Sequence, residues 1–67
     1  MIIEIGIVAG DIWHYLDKHG KVKLSELYAA LDRPKDLILM SLGWLAREGH
    51  VILEGQQNYE ISLRKKQ

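Results

Sequence analysis

One stretch decides the fold: PKDLILMSLGWLAREG, residues 34–49, which carries the signals of a complete helix. Pro34 suits the first helical turn, where its missing N–H costs nothing, and Asp36 puts a negative charge near the positive end of the helix dipole. Gly49 can close the helix in a left-handed conformation just after Arg47. The sequence therefore predicts a helix that Pro34 opens and Gly49 ends.

The apolar residues of this helix are too numerous for one buried face. Ile38, Leu42 and Leu45 recur at helical spacing, with Ser41 beside them, and this pattern predicts the face that packs in the core. Further apolar residues are predicted to point away from that face: Leu37, Leu39, Met40, Trp44 and Ala46. A helix that is apolar nearly all round needs a second surface to bury against.

The composition also favours association. A chain of 67 residues forms one domain, and a domain of this size buries only about 60% of the surface that its unfolded chain exposes. Yet 48% of the residues are apolar before the six glycines are counted, whereas ordinary domains reach about 45–50% with glycine included. Because one small core cannot hide this surplus, the composition predicts an oligomer.

Charge and cysteine content exclude several classes of function. Nine basic and nine acidic side chains cancel, which is unfavourable for a dedicated DNA binder because phosphate neutralisation supplies most of its affinity. The absence of cysteine excludes disulfides, zinc–thiolate sites and thiol nucleophiles. The first residues have no basic leader, and Glu4 and Asp11 interrupt the apolar run, so neither a secretory signal nor a membrane span is predicted. We expect a cytoplasmic protein without membrane contacts.

Two further helices precede the central one. The first is predicted over about residues 4–18, ending at Gly20, because apolar residues recur there at helical spacing: Ile5, Ala9, Ile12, Trp13 and Leu16. Gly6 and Gly10 within it are predicted to mark a close approach by another element. After a short edge strand at residues 21–23, Ser25 is expected to cap a second helix from Glu26 to about Leu31. Its predicted buried residues are Leu27, Ala30 and Leu31.

The end of the chain has the pattern of a β-hairpin. Residues 51–54 and 59–63 are predicted strands, and residues 55–58 have turn chemistry. The second strand alternates cleanly, which predicts that three of its side chains face the core: Tyr59, Ile61 and Leu63. The polar residues 64–67 are expected to fray.

This order of elements resembles a winged helix-turn-helix domain, and the resemblance is specific in the middle of the chain. The run LSELYAALDRPKDLILMSLGWLAREGHV, residues 24–51, is similar to the family's second helix, turn, third helix and entry to the wing. The segments IWHYL, residues 12–16, and LGWLARE, residues 42–48, further resemble a family of small stand-alone bacterial winged-helix proteins. The resemblance implies an α+β domain over residues 1–67, with three helices, a possible short strand and a C-terminal hairpin wing.

The resemblance also shows where DNA would be read. In relatives that bind DNA, the third helix enters the major groove and presents polar side chains to the base edges. Here the face opposite the core face holds Asp36, Met40, Gly43 and Arg47, of which only Arg47 suits base reading. The wing tip is uncharged, since residues 56–58 are Gln-Gln-Asn. The sequence therefore departs from the DNA-reading pattern at the positions that carry it.

Exposed apolar patches with polar rims are typical of protein interfaces, and Trp and Met are enriched in them. We therefore predict a non-enzymatic winged-helix protein that forms a homodimer through the third helix. The predicted interface residues are Leu37, Leu39, Met40, Gly43, Trp44 and Ala46. In the opposing interpretation, Trp44 and Met40 tuck under the wing of their own chain.

Two other functions remain open. The chain could be a dimeric, double-stranded-DNA-binding transcriptional regulator that contacts phosphate through Arg33, Lys35, Arg47, Arg64, Lys65 and Lys66. It could also be an adaptor that holds a different protein on the same apolar helix. The histidines lack metal-ligand spacing, and no phosphate loop or nucleophile elbow occurs. No catalytic, metal-binding or cofactor-binding residue is therefore predicted.

Overall fold

The computed structural model describes residues 1–64 and has the predicted order of elements. The helices and strands are α1 (Ile2–His19), β1 (Val22–Lys23), α2 (Leu24–Ala30), α3 (Lys35–Arg47), β2 (Val51–Glu54) and β3 (Glu60–Leu63). The α+β architecture implied by the winged-helix resemblance is confirmed. Of residues 64–67, which were predicted to fray, Arg64 is held by a hydrogen bond from its backbone N–H to the His50 carbonyl at 2.9 Å, and residues 65–67 lie outside the described residues.

The strands form an antiparallel sheet in the order β1-β3-β2. β3 is central because Ile61 lies opposite Val22 of β1 on one side and Leu53 of β2 on the other. The Ile61 side chain is completely buried. The predicted short strand after α1 therefore exists, and it ties the start of α2 to the wing.

The core lies where α1 crosses α3 above one face of this sheet. α1 and α3 make the largest contact between elements in the domain. The buried apolar residues come from all six elements: Val8, Ala9, Ile12, Leu16, Val22, Leu24, Leu27, Ile38, Leu42, Leu45, Val51 and Ile61. A residue buried here contributes roughly 1.5–3 kcal/mol relative to an exposed one. One shared core holds the helices and the wing together.

The central helix follows its sequence signals closely. It begins at Lys35, because Pro34 has the extended backbone of a cap residue (φ −60°, ψ 141°) and supplies its carbonyl to the Ile38 N–H at 3.0 Å. Gly49 has φ +78°, the left-handed conformation predicted for it. The predicted core face is confirmed, since Ile38, Ser41, Leu42 and Leu45 are all buried.

Two aromatic residues predicted to face the core are partly exposed instead. Trp13 exposes 38% of its surface, because it lies at the edge of the α1 core face while Val8, one turn before Ile12, fills the interior. Tyr59 exposes 37% of its surface and precedes β3 rather than belonging to it. Its carbonyl accepts a hydrogen bond from the Leu24 N–H at 2.8 Å, so its backbone links the wing to the start of α2.

The second helix departs most from its prediction. α2 begins at Leu24, so Ser25 lies in the first turn and is not the N-cap. The Ser25 N–H, which has no partner within the helix, donates to Asn58 Oδ1 at 2.8 Å. Ala30 is exposed, contrary to prediction, and Tyr28 packs against the core instead. The cap comes from the wing, about thirty residues further along the chain, where local sequence patterns cannot reveal it.

Candidate interaction surface

The outer face of α3 is apolar at its centre. Leu39, Met40 and Trp44 expose 46%, 42% and 47% of their surfaces. Met40 and Trp44 are one helical turn apart and therefore neighbours on this face. Gly43 lies between them and is exposed, with open space where a Cβ would stand. We call Leu39, Met40, Gly43 and Trp44 the outer face of α3.

The six residues predicted as an interface fall into two groups. The four residues of the outer face of α3 point to solvent, as predicted. Leu37 and Ala46 are half-buried and pack against the core cluster, so the prediction that they point away from it is wrong. They flank the core face on either side and are covered by the same chain. Of the six predicted residues, Leu39, Met40, Gly43 and Trp44 are the exposed ones.

Trp44 is partly covered by the start of the wing. Its indole ring lies 6.4 Å from the His50 ring, centroid to centroid, with an angle of 40° between the planes. This contact leaves nearly half of Trp44 in solvent, so the wing of the same chain does not hide it. Met40 is likewise exposed, and the interpretation that both residues tuck under the wing does not hold.

A groove runs from Trp44 onto α1. One cavity of about 290 Å³ is lined by Gly6, Ala9, Gly10, Trp13, Trp44, Leu45 and His50. An adjoining cavity of about 390 Å³ is lined by Ile2, Ile5, Gly6 and Trp44. The close approach by another element that was predicted at Gly6 and Gly10 does not come from the described chain, because a Cβ at either position would meet nothing within 4 Å. We call the two cavities together the α1–α3 groove.

The basic residues considered for DNA contact are not gathered on one face of α3. Arg33 is engaged with Asp11 of α1, its Nη2 lying 3.0 Å from the carboxylate Oδ2. The Lys35 ammonium lies 5.3 Å from the centre of the Tyr28 ring. Arg47 is exposed at the other end of α3, roughly 18 Å along the helix from Lys35.

The remaining candidate cations lie at the end of the chain. Arg64 is exposed, and its backbone N–H donates to the His50 carbonyl at 2.9 Å. Lys65 and Lys66 lie outside the described residues. Over the whole sequence nine basic and nine acidic side chains balance, so the chain has no excess of positive charge with which to attract phosphate.

The wing tip has a structural role that the sequence did not reveal. Asn58 has a left-handed backbone (φ 47°) and turns its side-chain oxygen onto the first turn of α2. An asparagine in a turn is the available signal, since this residue tolerates a positive φ and caps orphan N–H groups. Gln56 and Gln57 are exposed beside it. The tip therefore supports α2 and adds no cationic group.

Among residues 1–64, two ionisable side chains have shifted pKa values, both through surface contacts between elements. The Tyr15 hydroxyl donates to Glu26 at 2.6 Å, and this hydrogen bond raises the pKa of Tyr15. The Lys21 ammonium donates to Glu54 at 3.1 Å, which raises the pKa of Lys21. These pairs join α1 to α2 and the β1 edge to β2. They are exposed structural contacts of small value rather than the perturbed groups of a catalytic site.

The histidines lie beside three different aromatic rings. His14 is edge-on to Trp13 at 5.5 Å, His19 lies 4.1 Å from Tyr15, and His50 adjoins Trp44. Within residues 1–64, no three His, Asp or Glu side chains are grouped so that they could hold a metal ion. In the same residues, no helix combines the length and apolar character needed to cross a membrane.

Comparison with known proteins places this architecture in a family. No curated protein and no solved structure matches the chain. A family model described as "Winged helix-turn-helix domain (DUF2582)" matches residues 1–65, nearly the whole length. The match agrees with the three helices, the strand before α2 and the hairpin that follows α3. The chain belongs to this winged helix-turn-helix family.

Proposed function

We propose that this domain is a non-enzymatic interaction module that forms a homodimer through the outer face of α3. One observation carries the proposal: Leu39, Met40 and Trp44 each expose more than 40% of their surface on the helix that, in DNA-binding relatives, reads bases. Burying one such side chain contributes roughly 1.5–3 kcal/mol. Three from each copy offset a substantial part of the cost of association.

A twofold pair suits this face. In a symmetric dimer the same patch is used by both copies, so each residue acts twice. Gly43 lies at the centre of the patch and has no side chain, which lets two helix backbones approach closely. Charged residues lie at the ends of α3, with Lys35 and Asp36 in the first turn and Arg47 in the last. An apolar centre with a charged rim is the usual anatomy of a protein interface.

The decisive measurement is the native mass at low micromolar concentration, for the wild type and for Met40→Glu. We expect a wild-type dimer and a monomeric Met40→Glu, because the substitution places two like charges in the contact and removes two buried side chains. The dissociation constant should rise at least about 100-fold, which corresponds to roughly 2.8 kcal/mol. Lys18→Glu is the control, since it also introduces an acid at an exposed helical position but lies in the last turn of α1.

A wild-type protein that is monomeric and folded at micromolar concentration would refute the proposal. A dimeric Met40→Glu would move the contact away from the outer face of α3. Circular dichroism of each variant separates loss of association from loss of fold. Reduced thermal stability of the monomer is expected in any case, because association and folding are linked by mass action.

DNA binding as a dimeric transcriptional regulator is the second candidate, and the family's fold favours it. Its contacts would come from Lys35, Arg47 and the basic residues after the wing. Binding of this kind weakens steeply as salt rises, and Arg47→Ala should weaken it further. Tight binding of a specific duplex at physiological salt, lost in Arg47→Ala, would rank this function first. Weak binding that ignores sequence would leave the dimer proposal in place.

A further inference from the structure

The first turns of α1, residues 2–7, are mostly apolar but lie outside the core. Ile2, Ile3 and Ile7 expose 85%, 78% and 50% of their surfaces. The first buried residue of the helix is Val8. Singly scattered apolar side chains are ordinary on a surface, but three isoleucines within two helical turns form a patch. The core of this chain does not account for them.

The α1–α3 groove lies beside this patch on the same helix. Its floor is the backbone at Gly6 and Gly10, one turn apart, and its walls are Trp13 and Trp44. A Cβ at either glycine would meet no atom of the described chain within 4 Å. Glycine in a helix interior is unfavourable relative to alanine, so the absence of any filling side chain leaves the two glycines unexplained within one protomer.

Resting on the self-association proposed above, we infer that α1 of a second copy occupies this groove and crosses its counterpart near Gly6 and Gly10. One helix carries both halves of the contact. Ile3 and Ile7 are one turn apart and form a ridge, and the two glycines beside them form a groove. A twofold axis at the crossing sets each ridge into the partner's groove, which is what a self-complementary interface requires.

The chemistry of the segment permits close packing. Residues 5–10 contain no ionisable side chain, so the contact dehydrates no charge. Glu4 and Asp11 border the segment, and Asp11 is already engaged with Arg33 at 3.0 Å. The crossing is thus apolar at its centre and charged at its edges. This arrangement favours a second α1 over a polar or nucleic-acid ligand.

The exposed area is of the size that a dimer needs. Seven large apolar side chains are exposed on α1 and α3: Ile2, Ile3, Ile7, Trp13, Leu39, Met40 and Trp44. Half-exposed side chains of this size present on the order of 100 Å² each, and a standard interface buries about 800 Å² per partner. Trp44 lines both cavities of the groove and belongs to the outer face of α3. The α1 crossing therefore adjoins the proposed interface at Trp44.

The first test fills the groove. Gly10→Leu adds a side chain where the isolated protomer has open space, so the helix content by circular dichroism should be unchanged. In the dimer the same side chain meets the partner's α1, and the dissociation constant should rise at least tenfold. Lys18→Leu is the matched control, because it places the same side chain at an exposed position of α1 away from the groove. Gly10→Leu that associates as tightly as wild type would overturn the inference.

The second test introduces one cysteine. Because the sequence has no cysteine of its own, any disulfide then joins the introduced residue of one copy to that of another. A residue beside a twofold axis meets its own copy, so Ile7→Cys should form an intermolecular disulfide under mild oxidation. A disulfide requires Cα atoms within about 7 Å. Lys18→Cys, about three turns away, should stay monomeric on a non-reducing gel. No excess of cross-linked Ile7→Cys over Lys18→Cys would also overturn the inference.

The outcomes separate the inference from the function on which it rests. If Met40→Glu dissociates the dimer while Gly10→Leu and Ile7→Cys have no effect, the outer face of α3 pairs alone and the α1 crossing is wrong. If Gly10→Leu dissociates the dimer and Met40→Glu does not, the α1 crossing stands and the α3 contact is wrong. A monomeric wild type overturns both.

Discussion

The two faces of α3 are alike in composition and opposite in environment. Ile38, Leu42 and Leu45 are within 3% of complete burial, whereas Leu39, Met40 and Trp44 expose between 42% and 47% of their surfaces. The inner face is matched by α1 and by the wing, so its apolar side chains are explained by folding. The outer face has no counterpart among the described residues. Apolar character alone therefore does not identify a core residue, and position on the helix decides.

The first helix repeats this contrast along its length rather than around its circumference. Its second half supplies Ile12 and Leu16 to the core, and its first turns expose Ile2 and Ile3. The exposed part of α1 adjoins the exposed face of α3 through Trp44. The domain thus has one side completed by its own chain and one apolar side that is left open. Substitutions on the completed side should lower the free energy of unfolding, whereas substitutions on the open side should raise the dissociation constant of the dimer.

The largest effect is expected inside α3. Ile38→Ala removes a fully buried side chain and leaves a cavity, which costs about 2–5 kcal/mol. In a domain this small that loss is a large part of the total stability. The midpoint of urea unfolding should fall sharply. The loss in the free energy of unfolding should be similar at low and high protein concentration.

Leu39→Ala is the matched substitution on the outer face, one residue along the same helix. At concentrations where the protein is monomeric, the free energy of unfolding should change by no more than about 0.5 kcal/mol, as for ordinary surface positions. Where the dimer forms, the loss should grow with protein concentration, because truncation then weakens association. Equal, concentration-independent losses in Ile38→Ala and Leu39→Ala would erase the distinction between the two faces.

An intermediate effect is expected at Trp44. Buried tryptophans are frequent hot spots of interfaces, and truncating one costs about 2 kcal/mol or more. Trp44→Ala should therefore raise the dissociation constant at least about 30-fold, measured by sedimentation or native mass. Trp13→Ala tests the opposite wall of the groove and should have a smaller effect, since Trp13 is less exposed to begin with. An unchanged dissociation constant for Trp44→Ala would mean that the Trp44 ring packs beside His50 without contributing to the dimer.

The sequence predicted the elements that local patterns specify. The start and end of α3, its core face and the hairpin follow from proline, glycine and apolar spacing, and the structure confirms them. It missed contacts between distant parts of the chain. The cap on α2 comes from Asn58, far along the chain. Val8 is completely buried while Trp13 is partly exposed, because the packing of α1 on the rest of the domain decides which of its side chains are covered, and spacing within α1 does not fix that packing.

The candidate surface was predicted only in part, for the same reason. Counting apolar residues on α3 identified the outer face but could not show that Leu37 and Ala46 are covered by neighbouring elements. The sequence predicts a close approach by another element at Gly6 and Gly10, but spacing alone does not say which element that is. The groove that Gly6 and Gly10 line is a tertiary feature, because it forms only where α1 packs beside Trp44.

A small effect of the opposite sign, an increase in stability, is expected at Ser41. Its hydroxyl lies on the inner face of α3, is completely buried and has no hydrogen-bond partner among residues 1–64. A buried polar group without a partner costs about 1–3 kcal/mol, and alanine also has the higher helix propensity. Ser41→Ala should therefore raise the free energy of unfolding by about 1 kcal/mol, measured by urea denaturation.

Ser25→Ala is the control for this prediction. The Ser25 hydroxyl is exposed in the first turn of α2, and the hydrogen bond from Asn58 goes to its backbone N–H, which alanine keeps. Its free energy of unfolding should stay within about 0.5 kcal/mol of wild type. Because Ser41 faces away from the proposed dimer surface, its substitution should leave the dissociation constant unchanged. Destabilisation by Ser41→Ala would show that the hydroxyl makes a favourable contact. The inner face of α3 would then be held by a polar contact as well as by apolar packing, and the comparison of the two faces would have to include it.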